Sequence, residues 1–331
     1  MTVGPCRGLA LALALLSAAC VASPGGEAPA QSPATPASPV NPDGAPEAAP
    51  DPSPPAPTDT TGRLLAWIDP DARGVLYLKT PDELDSEALA TLFAVPSGAE
   101  RILRQVDSAD EGFEMLLGDD ALARWFEPPV LAMWPVVAQG TYLVRLLKQP
   151  EEDLEAALRE ADMELREVEG LKLYIPRGVY PWKLVLLDDH AVGFIPIREI
   201  GSGVGPLTAA RDLPPSEVET NLTTALRQDP DTFLELLVHG PLVHMALPEP
   251  LVSVRLSLRA WQTRGIDGVI ALQPTGDPDA VVNALRAREG AFATDQLRAL
   301  MDKVAFSIEG PIILGRLQIP AADRSALERE P

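Results

Sequence analysis

The stretch LVSVRLSLRAWQTRGIDGVIALQP, residues 251–274, decides the fold because its first half alternates strictly between apolar and polar side chains. The apolar set is Val252, Val254, Leu256 and Leu258, and the polar set is Ser253, Arg255, Ser257 and Arg259. A period of two predicts a β-strand, and its polar side predicts a sheet with one face open to water. The segment GIDGVIALQP, after a turn near Arg264-Gly265, predicts the antiparallel partner strand.

The same order of elements occurs twice along the chain. Two predicted strands over 130–147 precede a helix that begins at Pro150, and a hairpin follows it. The two strands over 251–274 likewise precede a helix at Pro278, which is followed by two more strands. We therefore predict an α+β fold, built as a duplicated unit of largely antiparallel sheet with helices packed on one face.

The two predicted units span residues 62–200 and 201–331. The region 198–240 is predicted to be helical, with a last helix between Asp229-Pro230-Asp231 and Gly240-Pro241. In element order, the duplicated arrangement loosely resembles duplicated extracytoplasmic domains of unknown function in bacterial lipoproteins. The resemblance lies in element order alone and assigns no functional residue.

The N-terminal run LALALALLSAACVASPGG, residues 9–26, is predicted to be an export signal. Its apolar core is far shorter than the roughly 20 residues that span a bilayer. A preceding Arg7 and the following small residues complete the pattern of a signal peptide over residues 1–19. A plainly secreted protein and a retained N-terminal helix are the alternatives.

The motif LSAAC resembles the lipobox of bacterial lipoproteins, with Ser17 where that family usually has Leu. The resemblance implies that Cys20 becomes the acylated first residue and anchors the chain to a membrane. Cys6 would leave with the signal, so the mature chain would have no second thiol and no disulfide. Val21, where an Asp retains such proteins in the inner membrane, implies the outer membrane, facing the periplasm or the cell surface.

Residues 20–61 are predicted to be a disordered tether. Between residues 21 and 60 there are twelve Pro and no Lys, Arg or aromatic residue. Such a segment cannot bury enough apolar area to offset the entropy of ordering, and its Pro content favours an extended, semi-rigid spacer. A Pro-rich ligand for a partner domain is the alternative interpretation.

The composition argues against two classes of partner. The net charge is −21 and aromatic residues make up 5% of the chain. This charge repels nucleic acid and opposes electrostatic docking on anionic lipid. No nucleic-acid partner is therefore expected.

No motif predicts an enzyme, a cofactor or a metal site. The GSGVG cluster, residues 201–205, lacks the Lys-Ser/Thr of a phosphate loop, and Ser202 lacks the spacing of a nucleophile elbow. His239 and His244 are separated by Gly-Pro and do not share a helix face, and His190 lies beside two acids at a predicted hairpin tip. The acidic pairs Asp119-Asp120, Glu151-Glu152 and Asp188-Asp189 are interpreted as helix starts and a turn.

The sequence therefore predicts a lipid-anchored extracytoplasmic binding or scaffold protein without enzymatic activity. It would bind a protein partner through a sheet edge or an exposed helix. A periplasmic carrier of a hydrophobic ligand is the first alternative, and it predicts an apolar cavity lined by Leu143, Leu146, Leu184 and Leu186. A metal-dependent hydrolase that uses His239 and His244 is the second alternative.

Overall fold

Alternating apolar residues build one large antiparallel sheet in the computed structural model of the chain. The structure describes residues 59–79, 98–135, 140–178, 180–199, 201, 203–213, 216–242, 247–261, 265–287 and 303–326. The signal peptide, Cys20, the tether, Ser202 and His244 lie outside these residues. Within them, no helix has both the length and the apolar character needed to cross a membrane.

Twelve strands make up the sheet within the described residues. They are β1 (Ala72–Leu78), β2 (Phe126–Pro135), β3 (Tyr142–Leu147), β4 (Met163–Val168), β5 (Leu171–Pro176), β6 (Trp182–Asp188), β7 (Ala191–Pro196), β8 (Thr232–Leu242), β9 (Leu251–Trp261), β10 (Gly265–Pro274), β11 (Ala305–Glu309) and β12 (Ile312–Ile319). Their order across the sheet is β11-β12-β10-β9-β8-β1-β2-β3-β7-β6-β5-β4. Strands β11 and β4 therefore form its two edges.

The helices within the described residues fall between the strands. They are α1 (Thr60–Leu65), α2 (Gly98–Leu117), α3 (Ala121–Trp125), α4 (Glu151–Glu160), α5 (Gly205–Asp212), α6 (Glu217–Gln228) and α7 (Pro278–Arg286), followed by a 3-10 helix (Ala321–Ala326). The α+β class and the antiparallel sheet are confirmed. Acids in the first turn of α4 favour its start because they complement the helix dipole.

The two faces of the sheet are covered differently. On the first face, apolar side chains of strands across the sheet pack against α2, α3, α4 and α7 in one continuous core. On the second face, a separate core joins the strands from β1 to β7 to α1, α5 and α6. The prediction that helices pack on one face is therefore wrong for this half of the sheet, where apolar residues of both strand faces are buried.

Strand β8 replaces the last helix that was predicted before Gly240-Pro241. It lies between β1 and β9, and pairs antiparallel with both. Leu234, Leu236 and Val238 point to the first-face core with the period of a strand. The helix prediction is wrong because the ladders on both sides satisfy the backbone of this segment, and this pairing overrides its local pattern.

Strand β9 confirms the alternation from which the fold was predicted, except at Val252, and Ser253 and Ser257, which were expected to be exposed, are only partly exposed. Val254, Leu256 and Leu258 are buried, while Arg255 is exposed on the opposite face. Val252, which was expected to be buried, is exposed. It lies at a register irregularity of the β9–β10 pair, where Ser253 pairs with Gln273 but Leu251 pairs with Pro274, so Val252 is the extra residue of a bulge.

Both predicted units contain a strand pair, a helix and a second strand pair in the same order. Their pairing differs, because β10 pairs directly with β12, whereas the hairpin β6–β7 lies between β3 and the hairpin β4–β5. The two groups of strands meet where β1 pairs with β8. The duplication and the boundary at residue 200 stay predictions.

Candidate binding surface

The second face of the sheet changes character beyond β8. Over β9, β10, β12 and β11 the residues that point away from the first-face core are mostly polar, and we call this surface the open face. Its members are Ser253, Arg255, Ser257, Arg259, Asp267, Val269, Ala271, Gln273, Ile312, Leu314, Arg316, Gln318, Ala305, Ser307 and Glu309. The alternation of side chains along β9 and β12 produces the open face. On β9 the even-numbered residues enter the first-face core, and on β12 the odd-numbered residues do so.

Two ion-pair groups order the open face on the side next to β8. Arg255 donates from Nε to Glu235 Oε1 at 2.5 Å. Arg259 donates from Nε to Asp267 Oδ2 at 2.6 Å and from Nη1 to Asp229 Oδ2 at 2.8 Å. Both arginine side chains are about half exposed, at 49% and 50%. They are therefore fixed in place while still presenting their guanidinium groups to solvent.

Glu235 lies at the border between the open face and the helix-covered part of the second face. Its register partner on β1 is Tyr77, which belongs to the second-face core. Burial raises the pKa of the Glu235 carboxyl, and this effect outweighs the opposing contacts from Ser257 and Arg255. Its Oε2 atom is buried, and no hydrogen-bond partner for it lies among the described residues. The surroundings of this carboxyl therefore disfavour its charged form.

Arg316 is an exposed cation near the middle of the open face. Its side chain is exposed at the middle of β12, between Val269 on β10 and Ala305 on β11. No ion pair to Arg316 forms within the described part of the chain. Ile312 and Leu314, on the same side of the same strand, add partly exposed apolar surface. This region therefore combines an exposed guanidinium with apolar side chains.

The described glycines of the 201–205 cluster lie between β7 and α5, and Gly205 is the first residue of α5. Gly201 and Gly203 have positive φ angles of 66° and 74°. Lys183 donates from Nζ to the carbonyl oxygens of Glu199 and Gly201, at 2.9 and 2.8 Å. The loop thus directs carbonyl oxygens toward a buried cation, whereas a phosphate-binding loop would direct N–H groups toward an anion.

The histidines are dispersed in the structure. His239 is exposed on β8 opposite Ser253, and His190 is exposed in the β6–β7 turn, where its N–H donates to Asp188 Oδ1. His244 lies outside the described residues. Across the ranges that the structure describes, no three His, Cys, Asp or Glu side chains form a group that could hold a metal ion.

The acidic pairs take structural positions. Asp119 and Asp120 are exposed before α3. Glu151, in the first turn of α4, accepts from Lys172 Nζ at 2.6 Å rather than being fully solvated. The β6–β7 turn lies one residue later than predicted, at Asp189-His190, because the pair shifts register between Leu186 and Asp188.

The four leucines proposed to line a carrier cavity do not share one pocket. Leu143, Leu184 and Leu186 lie in the first-face core, whereas Leu146 lies in the second-face core. All four are buried among other core residues. The carrier interpretation therefore requires a different site from the one that the sequence predicted.

A groove on the helical side has more polar than apolar lining surface, so it does not provide the apolar cavity that the carrier interpretation predicts. It has a volume of about 630 Å³ and lies where the end of α2 meets α3 and α4. Its lining residues are Leu116, Leu117, Arg124, Trp125, Gln149, Asp153, Ala156, Ala157, Glu160 and Ala161. The Arg124 guanidinium lies 5.6 Å from the centre of the Trp125 ring. No local sequence pattern predicts this groove, because its lining comes from three separate helices.

Comparison with known proteins gives a distant structural likeness. No family model and no curated protein matches the chain. Among solved structures, it is similar to TP0453, a treponemal outer-membrane-associated lipoprotein. Crystal form I gives a TM-score of 0.48 at 12% identity, over 80% of this chain and 94% of that one. Form III gives 0.44 at 14% identity, over 80% and 95%. No residue role follows from a likeness of this degree.

Proposed function

We propose that the protein is a lipid-anchored extracytoplasmic binding protein that presents the open face of its sheet to a partner protein. One observation carries the proposal, namely the unequal cover of the second face. Helices α1, α5 and α6 cover it over the strands from β1 to β7, while β9, β10, β11 and β12 present Arg255, Arg259, Arg316 and Gln318 to solvent. The first face of β9, β10 and β12 packs into the first-face core, so the open face over these three strands is backed by buried residues.

The composition of the open face suits a protein partner. Protein interfaces are enriched in Arg and depleted of Lys and Glu at their centres. Arg316 with Ile312 and Leu314 provides such a centre, and the paired Arg255 and Arg259 extend it with ordered polar groups. In a chain of net charge −21, this is a local departure from the general negative charge.

The proposed anchor would hold the open face near a membrane. The signal, the lipobox-like motif and Cys20 support an outer-membrane lipoprotein, and the Pro-rich tether could reach roughly 100 Å. A binding protein on such a tether can reach partners beyond the membrane surface and remain attached. We propose no cofactor and no catalytic role for it.

A photoreactive amino acid placed at Gln318 tests the proposal in the intact lipidated chain in its own membranes. Irradiation should produce a defined covalent adduct with one partner protein, and the Arg316→Glu variant should abolish that adduct. The same photoreactive residue at Arg166, exposed on the opposite sheet edge, is the matched control. No adduct at Gln318, or equal adducts at Gln318 and Arg166, would exclude the open face as the binding surface.

A further inference from the structure

The two edges of the sheet are protected to different degrees. On β4, Glu164, Arg166 and Glu167 place three charges along the edge strand, and Arg166 Nε donates to Glu164 at 2.8 Å. Charged side chains are a common means of blocking strand addition. On β11 the strand itself reads AFSIE, with a single charge at its end, and Ile308 is 39% exposed. Among the described strands only β12 pairs with β11, so no described strand occupies the other side of its backbone.

Residues 303–309, KVAFSIE, comprise β11 and the two residues before it, of which Lys303 lies in a turn. With the strand extended to Lys303, this segment is complementary to itself in the antiparallel direction. With a two-fold axis at Phe306, Lys303 faces Glu309 of the other copy and Val304 faces Ile308 of the other copy. Ala305 then faces Ser307, and the two Phe306 side chains face each other. Opposite charges and apolar pairs directly across an antiparallel ladder are each stabilising.

In this register the apolar pairs lie on the side of the sheet that carries the first-face core. Val304 and Phe306 pack against the first-face core, and Ile308 has the same parity along the strand. Directly opposite residues in an antiparallel pair lie on the same face, so the apolar pairs would continue the first-face core. A two-fold axis at Ser307 would instead place Glu309 opposite Ala305, and the charge pairs would be lost.

We propose that a second copy of this chain binds to the β11 edge, with the two β11 strands pairing antiparallel about a two-fold axis at Phe306. The contact is isologous, and a closed dimer forms rather than a filament. The two open faces then lie on the same side of one continuous sheet. This dimer does not depend on the proposed partner of the open face.

A charge exchange tests the register. Lys303→Glu places Glu opposite Glu309, and Glu309→Lys places Lys opposite Lys303. Each single variant of the full mature chain should therefore dissociate at least tenfold more readily in sedimentation experiments, and the double variant should regain the affinity of the parent. Lys303 also pairs with Asp323 at 2.8 Å, so thermal unfolding must show that each variant is folded. A monomeric parent, or a double variant no better than the singles, would overturn the proposal.

A second measurement avoids variants that alter charge. Phe306→Cys, in the lipidated chain in membranes, should form a disulfide-linked dimer well above the background of the parent chain. Leu165→Cys is the matched control, because Leu165 is 41% exposed at the middle of β4. Dimer formation at Leu165 equal to that at Phe306 would show that the contact is not specific to β11 and would overturn the proposal.

Discussion

For single residues of β9, burial determines how much a substitution lowers the free energy of unfolding. Leu256 is buried in the first-face core, between Leu236 on β8 and Ile270 on β10. We expect Leu256→Asp to lower the free energy of unfolding by on the order of 4 kcal/mol, because it removes a packed side chain and introduces a charge without a partner. Urea denaturation measures this loss.

Val252 provides the control on the same strand. Its side chain is 41% exposed at the bulge, so Val252→Asp should change stability by no more than about 0.5 kcal/mol. Equal losses in the two variants would show that the facing of β9 is misassigned.

Glu235 should make stability depend on pH. Because burial raises the pKa of its carboxyl above the ordinary 4.5, the folded state holds this proton more tightly than the unfolded state. The stability that Glu235 contributes is therefore present below pH 4.5 and is lost as pH rises through the folded pKa. In Glu235→Gln this loss is absent, so the variant should gain stability relative to the parent as pH rises. Urea unfolding of both proteins from pH 4 to pH 8 measures the difference, and a difference that stays constant would contradict the assignment.

At the scale of elements, β8 shows both what the sequence could predict and what it could not. The segment TFLELLVHGPL contains apolar residues at spacings that suit a helix or a strand. Asp229-Pro230-Asp231 and Gly240-Pro241 then resemble helix boundaries. The strand forms because β1 and β9 lie on either side of it, and this tertiary pairing is not visible in a local pattern. In β9 and β10, by contrast, alternation and a short turn sufficed.

The open face was predicted only in part. The polar side of β9 followed from alternation, but its ion pairs join residues that are far apart in sequence. Arg259, for example, contacts Asp229 at the end of α6 and Asp267 on β10. The exposure of Val252 could not be predicted from the sequence either, because a bulge depends on the register of the neighbouring strand. Which strands lack helical cover depends on the packing of α1, α5 and α6, which no local motif specifies.

Amide hydrogen exchange tests the position of β8. Its backbone is paired on both sides, so the amides of Leu234, Leu236 and Val238 should exchange among the slowest in the protein, near the limit set by global unfolding. The edge strand β4, with Leu165 at its centre, should exchange faster because it has a partner on one side only. Exchange in β8 as fast as in β4 would contradict a central position.

The whole molecule combines three parts: a predicted export signal over residues 1–19, a Pro-rich tether that begins at Cys20, and a sheet that carries the open face. The sheet follows from the structure, whereas the anchor is proposed from the sequence. The binding surface is argued from the structure alone, whereas its location at a membrane depends on the anchor. The charge of −21 argues against electrostatic attachment to anionic lipid, so a covalent lipid is the expected means.

Mass spectrometry of the mature protein, extracted from the membranes of its own cells, tests this claim most directly. The account predicts an N-terminal residue that is Cys20, carrying a diacylglyceryl group on its sulfur. A Cys20→Ser variant should lose the lipid mass and leave the membrane fraction. A mature chain that begins at another residue, or an unmodified Cys20, would contradict the account.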